Sequence, residues 1–444
     1  MPFAMKRVPT EIELHSAASR RRRALGLSAA VAGLTIAWLA LTADKQSGGV
    51  HQFFGLWRMR HILVAVAGIW LTVAALAATV SRKALWRMLA TTISAALTIL
   101  LIEVVALTGI IDIARVLRGK EMNPYGIERP VHIDVSGETY QDIWMRWGID
   151  SQPIPFQFKT DARGFRNEED RDAADIYLLG DSFLVAGLVP FEQTITHLLE
   201  AATRRPLMNI SLIALSVQNE RDLLTELKLP MQRRLVIHFV FEGNDLADSA
   251  AYRTTGSSVG RRVPALTRRD RSPTYQFLMA LQRGTQAVDP AFSKQTGIIG
   301  DETYGFVYVG PHVGEHDEEI PHVLAALDDT RRYVEERGGI YAVVVIPEKF
   351  RVLGPLCRWP EGSDLADEQR NLSPLLPAVV HWGAERGVAT LDLTASLQES
   401  ARAGRIPWFP GDTHWNEHGH AAAADAFAAW IASQDWKLGA NDSQ

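Results

Sequence analysis

The 444-residue chain has almost no cysteine, since Cys357 stands alone. An intramolecular disulfide is therefore excluded, as is a zinc cage of several thiolates from this chain. Nor is there a surplus of positive charge: 46 Lys and Arg face 51 Asp and Glu, for a formal net charge of -5 at pH 7. No nucleic-acid partner is expected from that balance, because phosphate recognition requires a clear cationic excess. Internal repeats and low-complexity tracts are also missing. The length must then be filled by at least two ordinary structural units.

Charge is scarcest in the first quarter. Leu25–Ala43 (LGLSAAVAGLTIAWLALTA), Ile62–Val80 (ILVAVAGIWLTVAALAATV) and Met88–Ile111 are nearly continuous apolar runs. Each is long enough to cross a bilayer, which needs ~20 apolar residues. Lys6, Arg7 and Arg20–Arg23 precede the first run, so the positive-inside rule places residues 1–24 in the cytoplasm. Three crossings over 25–111 then export the remainder. If the first run were instead a cleaved signal peptide, the remainder would still be exported. The expected location is the inner (cytoplasmic) membrane, with the large domain extracytoplasmic and membrane lipid as a partner. Glu103 lies within the third run. It marks either a contact with another helix or a span shifted so that the carboxylate meets the headgroups.

After a lead-in segment (112–173) containing the strand-like PIPFQFKT, short β-rich apolar runs alternate with helical stretches. That alternation is the signature of βα units building a parallel sheet covered on both faces. Five such runs are ADIYLLGDS, PLMNISLIA, RRLVIHFVFEGND, IYAVVVIPEKF and VATLDLT. Between them, Ile195, Leu198 and Leu199 share one helical face and Val323, Leu324 and Leu327 another. The expected α/β domain spans 174–435, with an insertion at 246–320 serving as lid or specificity element and a tail at 436–444.

Chemistry concentrates where these runs end. Gly180-Asp181-Ser182 puts a hydroxyl at the carboxyl end of the first run, and Gly411-Asp412-Thr413-His414-Trp415-Asn416 precedes the last helix. His414 is suited to accept the Ser182 proton, and Asp412 to hold the imidazole tautomer. Asn244, in Glu242-Gly243-Asn244-Asp245, ends the third run. That run is expected beside the first, so its amide would serve an oxyanion hole.

Together these blocks resemble the SGNH/GDSL hydrolase superfamily, over roughly Ala174 to Ile431 and in the family's order. The resemblance implies a flavodoxin-like five-stranded parallel sheet, ester or acyl chemistry, and no cofactor. It also implies an oxyanion hole from Ser182, Ala214 and Asn244. Three departures stand out: Ala214 occupies the family's glycine position, Gly243 adjoins Asn244 directly, and the last block is D-x-H rather than D-x-x-H. That last form, followed by Trp415, is similar to the SGNH-like domains of alginate O-acetyltransferases.

Other residues compete for attention. His414, His418 and His420, and likewise His312, His316 and His322, are clustered but lack H-E-x-x-H spacing, so no metal is expected. Arg261, Arg262, Arg268, Arg269 and Arg271 form a basic run suited to an anionic glycan or lipid headgroup, or simply to solvent. The sequence therefore points to a membrane-anchored serine esterase acting on an ester, acylated carbohydrate or lipid. The alternatives are an O-acyltransferase modifying an exported polysaccharide or envelope glycan, served by a membrane acyl-transfer partner, and a non-catalytic envelope binding module. In the acyltransferase reading Trp415 would stack on a sugar and shield the acyl-enzyme from water; equally, a tryptophan there would serve as core packing.

Overall fold

The computed structural model describes residues 11–42, 57–108, 131–147, 149, 151–257, 272–284, 294–309, 313–368 and 371–438. Residues 1–119 with 266–289 form one compact unit, and 120–265 with 290–444 a second.

In the first unit, three helices are long and apolar enough to cross a membrane: α1 (Glu11–Thr42), whose apolar part is Ser19–Thr42, α2 (Met59–Val80) and α3 (Arg82–Leu107). Helices α1 and α2 meet through small residues, among them Ala30, Ala37, Ala65 and Ala75, all buried. The approach is closest at Gly33 and Gly68, where a Cβ on Gly68 would lie 2.6 Å from the Gly33 carbonyl oxygen. Thr72 Oγ1 donates to the Ala30 and Gly68 carbonyls at 3.2 and 2.9 Å. Small-residue contact with a hydroxyl in the seam is how helices associate where lipid removes the hydrophobic drive. Large apolar side chains such as Leu34, Trp38, Leu97 and Leu101 point outward and are exposed.

The second unit begins with an antiparallel pair, β1 (Asp134–Thr139) and β2 (Ile154–Lys159), in register from Asp134–Lys159 to Thr139–Ile154. Between them lies a short helix, α4 (Asp142–Trp147). The expected strand PIPFQFKT is thus β2, whereas α4 carried too few turns to show a period.

The main sheet is built from β3 (Ile176–Gly180), β4 (Leu207–Ser211), β5 (Leu235–Phe241), β8 (Ile340–Ile346) and β9 (Ala389–Asp392). All neighbours are parallel, in the order β4-β3-β5-β8-β9. These are the five runs expected from sequence. β3, β4 and β5 are buried along their whole length, which explains why they read as continuous apolar stretches rather than alternating ones. Helices α5 (Ser182–Val185), α6 (Ile195–Thr203), α7 (Val217–Leu227) and α8 (Asp245–Thr255) follow the first three sheet strands. Two apolar clusters cover the sheet, one around Phe183, Phe239, Trp408 and Phe427, the other around Tyr177, Leu223, Val343 and Trp382.

The stretch 246–320 is not one loop. It contains most of α8, a helix α9 (Pro273–Gly284) that belongs to the first unit, and an antiparallel hairpin of β6 (Thr296–Ile299) and β7 (Glu302–Gly305). The basic run at 261–271 lies outside the described residues, as does His312. Beyond it, α10 (Ile320–Glu335) buries Val323 and Leu327 and ends ahead of Gly338, whose φ is +76°. Helices α11 (Lys349–Leu353), α12 (Leu375–Arg386), α13 (Thr394–Arg402) and α14 (Glu417–Ser433) complete the unit.

Candidate active site

Because β3 lies between β4 and β5, the segments leaving these strands converge at the sheet's carboxyl edge. There Ser182, Ala214, Asn244, Asp412 and His414 line one cavity of about 180 Å³ with Asp142, Phe241 and Tyr308.

Ser182 opens α5, whose cap is Asp181, with Asp181 Oδ1 accepting from the Phe183 N–H at 3.1 Å. Its Oγ lies 2.9 Å from His414 Nε2, and His414 Nδ1 lies 2.7 Å from Asp412 Oδ1. The three residues named from sequence are therefore in a continuous hydrogen-bonded line. The same Asp412 oxygen accepts the His414 backbone N–H at 2.9 Å, which closes the D-x-H turn on itself.

Burial works against charge on His414, but the hydrogen bond and charge of Asp412, with Asp142 and Asp181 nearby, outweigh it and raise its pKa to about 9. Asp412 is buried, which favours its neutral form, yet its bonds to His414 and to the Asp142 N–H hold it below the ordinary carboxylate value. The pair is therefore poised as carboxylate and imidazolium in the resting site.

Sequence reasoning missed Asp142. It heads α4, some 270 residues before the base, and is 7% exposed. Its N–H donates to Asp412 Oδ2 at 2.7 Å, and its own Oδ1 accepts the Thr413 N–H at 2.8 Å. The Thr413 hydroxyl also donates to Asp142 Oδ2. Two further N–H groups of α4, from Ile143 and Trp144, reach the Gly411 carbonyl at 2.9 and 3.1 Å. A helix start has free N–H donors, and here the D-x-H loop supplies their acceptors. Only the acidic residue opening a short polar-apolar stretch (QDIWMRW) hinted at this.

Lys349 grips the same loop from α11. Its ammonium donates to the carbonyls of Phe409 and Pro410, each at 2.8 Å, and of Asp412 at 3.1 Å. Burial lowers its pKa to about 7 despite the nearby Asp412 and Asp142 carboxylates.

The opposite wall is built differently. Ala214 sits at φ +57°, in the left-handed region. A methyl-bearing residue there costs ~1–2 kcal/mol that glycine would not. Asn244 Nδ2 donates to Asp248 Oδ2 at 2.7 Å, while its buried Oδ1 has no hydrogen-bond partner. Burial, then repulsion from Asp181, raises Asp248 to about 7.

Trp415 is 1% exposed and packs edge-on against Phe183 and Trp408, with ring centroids 5.0 and 6.5 Å away. Of the two readings of Trp415, sugar platform or core packing, the structure selects the second: it is a core residue beneath His414. Of the histidine clusters, His418 is exposed, and His420 is buried with burial pushing its pKa down to about 3. His316 and His322 lie apart from the cavity. Ligand atoms of Asp142, Asp412 and His414 fall within 4.8 Å of one another, a spacing a cation could use. In this arrangement the same atoms are engaged by the hydrogen bonds just described.

Comparison with known proteins adds a likeness over the last part of the chain. Residues 311–444 match the family model described as the SGNH hydrolase-like domain of the acetyltransferase AlgX. No curated protein matches. Among solved structures, the chain is similar to a lipolytic protein of the G-D-S-L family from Veillonella parvula DSM 2008. The identity is 13% and the TM-score 0.32, covering 58% of this chain and 98% of that one. A phospholipase A1 from Streptomyces albidoflavus NA297 gives 14% identity and a TM-score of 0.33, over 59% and 99% of the two chains.

Proposed function

From a chain that carries an SGNH/GDSL-superfamily domain, we propose a membrane-anchored serine esterase that works through an acyl-enzyme on Ser182. The observation that carries this reading is the unbroken line from Ser182 Oγ to His414 Nε2 at 2.9 Å and from His414 Nδ1 to Asp412 Oδ1 at 2.7 Å. In the reaction, neutral His414 takes the Ser182 proton as Oγ attacks the ester carbonyl. Asp412 holds the proton on Nδ1 and stabilises the imidazolium. The carbonyl oxygen, now an anion, is met by the backbone N–H groups of Ser182 and Ala214 and by the Asn244 amide. His414 then returns the proton to the leaving alkoxide. Water, deprotonated by His414, attacks the acyl carbonyl; as the carbonyl re-forms, Ser182 Oγ leaves, takes the proton back from His414, and the carboxylic acid is released.

O-acyl transfer is the second reading, favoured by the match of the base-bearing segment to an acetyltransferase family model. There a sugar hydroxyl replaces water in the second half-reaction, and a membrane partner supplies the acyl group. The basic residues ahead of the first apolar run support a position of the sheet domain outside the cytoplasm.

Purified full-length protein is incubated with a fluorophosphonate probe, and separately with an aryl acetate with and without an oligosaccharide acceptor. Ser182→Ala is expected to abolish probe labelling and phenol release. Phenol release that persists in Ser182→Ala sinks the mechanism. Acetylated sugar forming at the expense of free acetate replaces the esterase with the transferase.

A further inference from the structure

The helix α9 (Pro273–Gly284) is reached by a chain segment that leaves the sheet domain after α8, groups with the membrane-type helices, and then returns. We propose that α9 is an interfacial helix that lies on the phospholipid bilayer beside the end of α3.

Three observations carry this. First, the start of α9 is tied to α3: the Thr274 N–H donates to Glu103 Oε2 at 3.2 Å. A free N–H in the first turn of a helix is a good partner for a carboxylate, and this resolves Glu103 as a helix contact. Glu103 lies four residues before the end of α3 at Leu107, about 6 Å along the axis at ~1.5 Å per residue. The start of α9 is therefore within about one turn of the end of a candidate span.

Second, α9 is too short to cross. Its 12 residues rise ~18 Å, against ~30 Å of hydrocarbon. It does carry an exposed apolar stripe: Phe277 and Leu281, one turn apart, are exposed at 50% and 44%, beside the buried Pro273 and Gln276. Third, the helix to which α9 is tied is itself apolar outward: α3 exposes Leu97, Leu100, Leu101 and Val104, which belong in hydrocarbon rather than water, so a bilayer is the medium at hand for an exposed apolar stripe on its neighbour. In sequence, Arg268, Arg269 and Arg271 precede the helix and Arg283 closes it. Basic flanks around an apolar stripe suit a helix lying among anionic headgroups.

The test places single spin labels at positions 277, 281 and 100 through Phe277→Cys, Leu281→Cys and Leu100→Cys, each in a Cys357→Ser background. The full chain is reconstituted in bilayers of phosphatidylcholine and phosphatidylglycerol. Collision of each label with dissolved oxygen and with a water-soluble nickel complex is then compared. Labels at 277 and 281 are expected to favour oxygen, with the same sign as the label at 100 and a shallower depth. Preference for nickel at 277 and 281 while 100 favours oxygen overturns the interfacial helix and leaves the spans intact. Nickel preference at all three overturns both. Dipolar broadening between labels at 277 or 281 would put a second copy of the chain on this face and also reject the bilayer.

Discussion

The cavity has two walls that differ in how firmly they are held. On the base side, the loop bearing Asp412 and His414 is gripped by α4 through Asp142 and two further N–H groups, and by α11 through the three bonds of Lys349. On the side of the proposed oxyanion donors, Ala214 holds a left-handed φ against its methyl group, and the Asn244 amide nitrogen donates to a carboxylate, leaving its Oδ1 bare. An imidazole must stay within hydrogen-bond reach of both serine and aspartate, so its loop is constrained redundantly. If the Asn244 amide is to serve as an oxyanion donor, it must turn from Asp248 toward the cavity, a reorganisation that a preorganised donor would not need.

Removing the base should have the largest effect. His414→Ala is expected to lower kcat/KM for an aryl acetate by ~10⁴-fold with the fold retained, checked by steady-state kinetics beside thermal unfolding. Asn244→Ala comes next, at roughly a hundredfold in kcat, the scale for one oxyanion donor. If that substitution changes nothing, the Asn244 amide stays with Asp248 during turnover and the two backbone N–H groups act alone.

The base side also carries a pH signature. His414 is raised to about 9, so its neutral form, the one able to take a proton, grows as pH rises. Activity should therefore climb through the alkaline range and fall about tenfold per pH unit below the inflection. Asp142→Asn keeps an acceptor for the Thr413 N–H but removes one negative charge near the imidazole, so the inflection should move to lower pH. Asp142→Ala should lower stability as well, by ~1–3 kcal/mol for each buried donor left unpaired at Thr413. A pH–rate profile unmoved in Asp142→Asn would reduce Asp142 to a structural clamp.

The smallest expected effect belongs to the strained wall. Ala214→Gly relieves ~1–2 kcal/mol of left-handed strain but restores ~0.5–1 kcal/mol of backbone freedom to the unfolded chain. A net gain of about 1 kcal/mol or less should appear as a slightly higher Tm. A lower Tm would mean that the methyl group contributes packing that outweighs its strain.

Local pattern was enough for much of this protein. The three long apolar helices were legible because a bilayer crossing would demand an uninterrupted length of apolar residues, and the five sheet strands because a doubly covered sheet demands the same over a shorter length. Ser182 stood out because it lies in a turn motif at the end of such a strand, and Asp412 and His414 because theirs immediately precedes the last helix. What the tertiary structure alone decided are the choices between partners equally acceptable locally. Asp142 meets Thr413 across 271 positions, Trp415 turns into the core instead of the cavity, the Asn244 amide selects Asp248, and Glu103 selects the first turn of α9. In each case the side chain's chemistry named a class of partner, and only the packing of distant segments brought one member of that class within 3 Å or so of it.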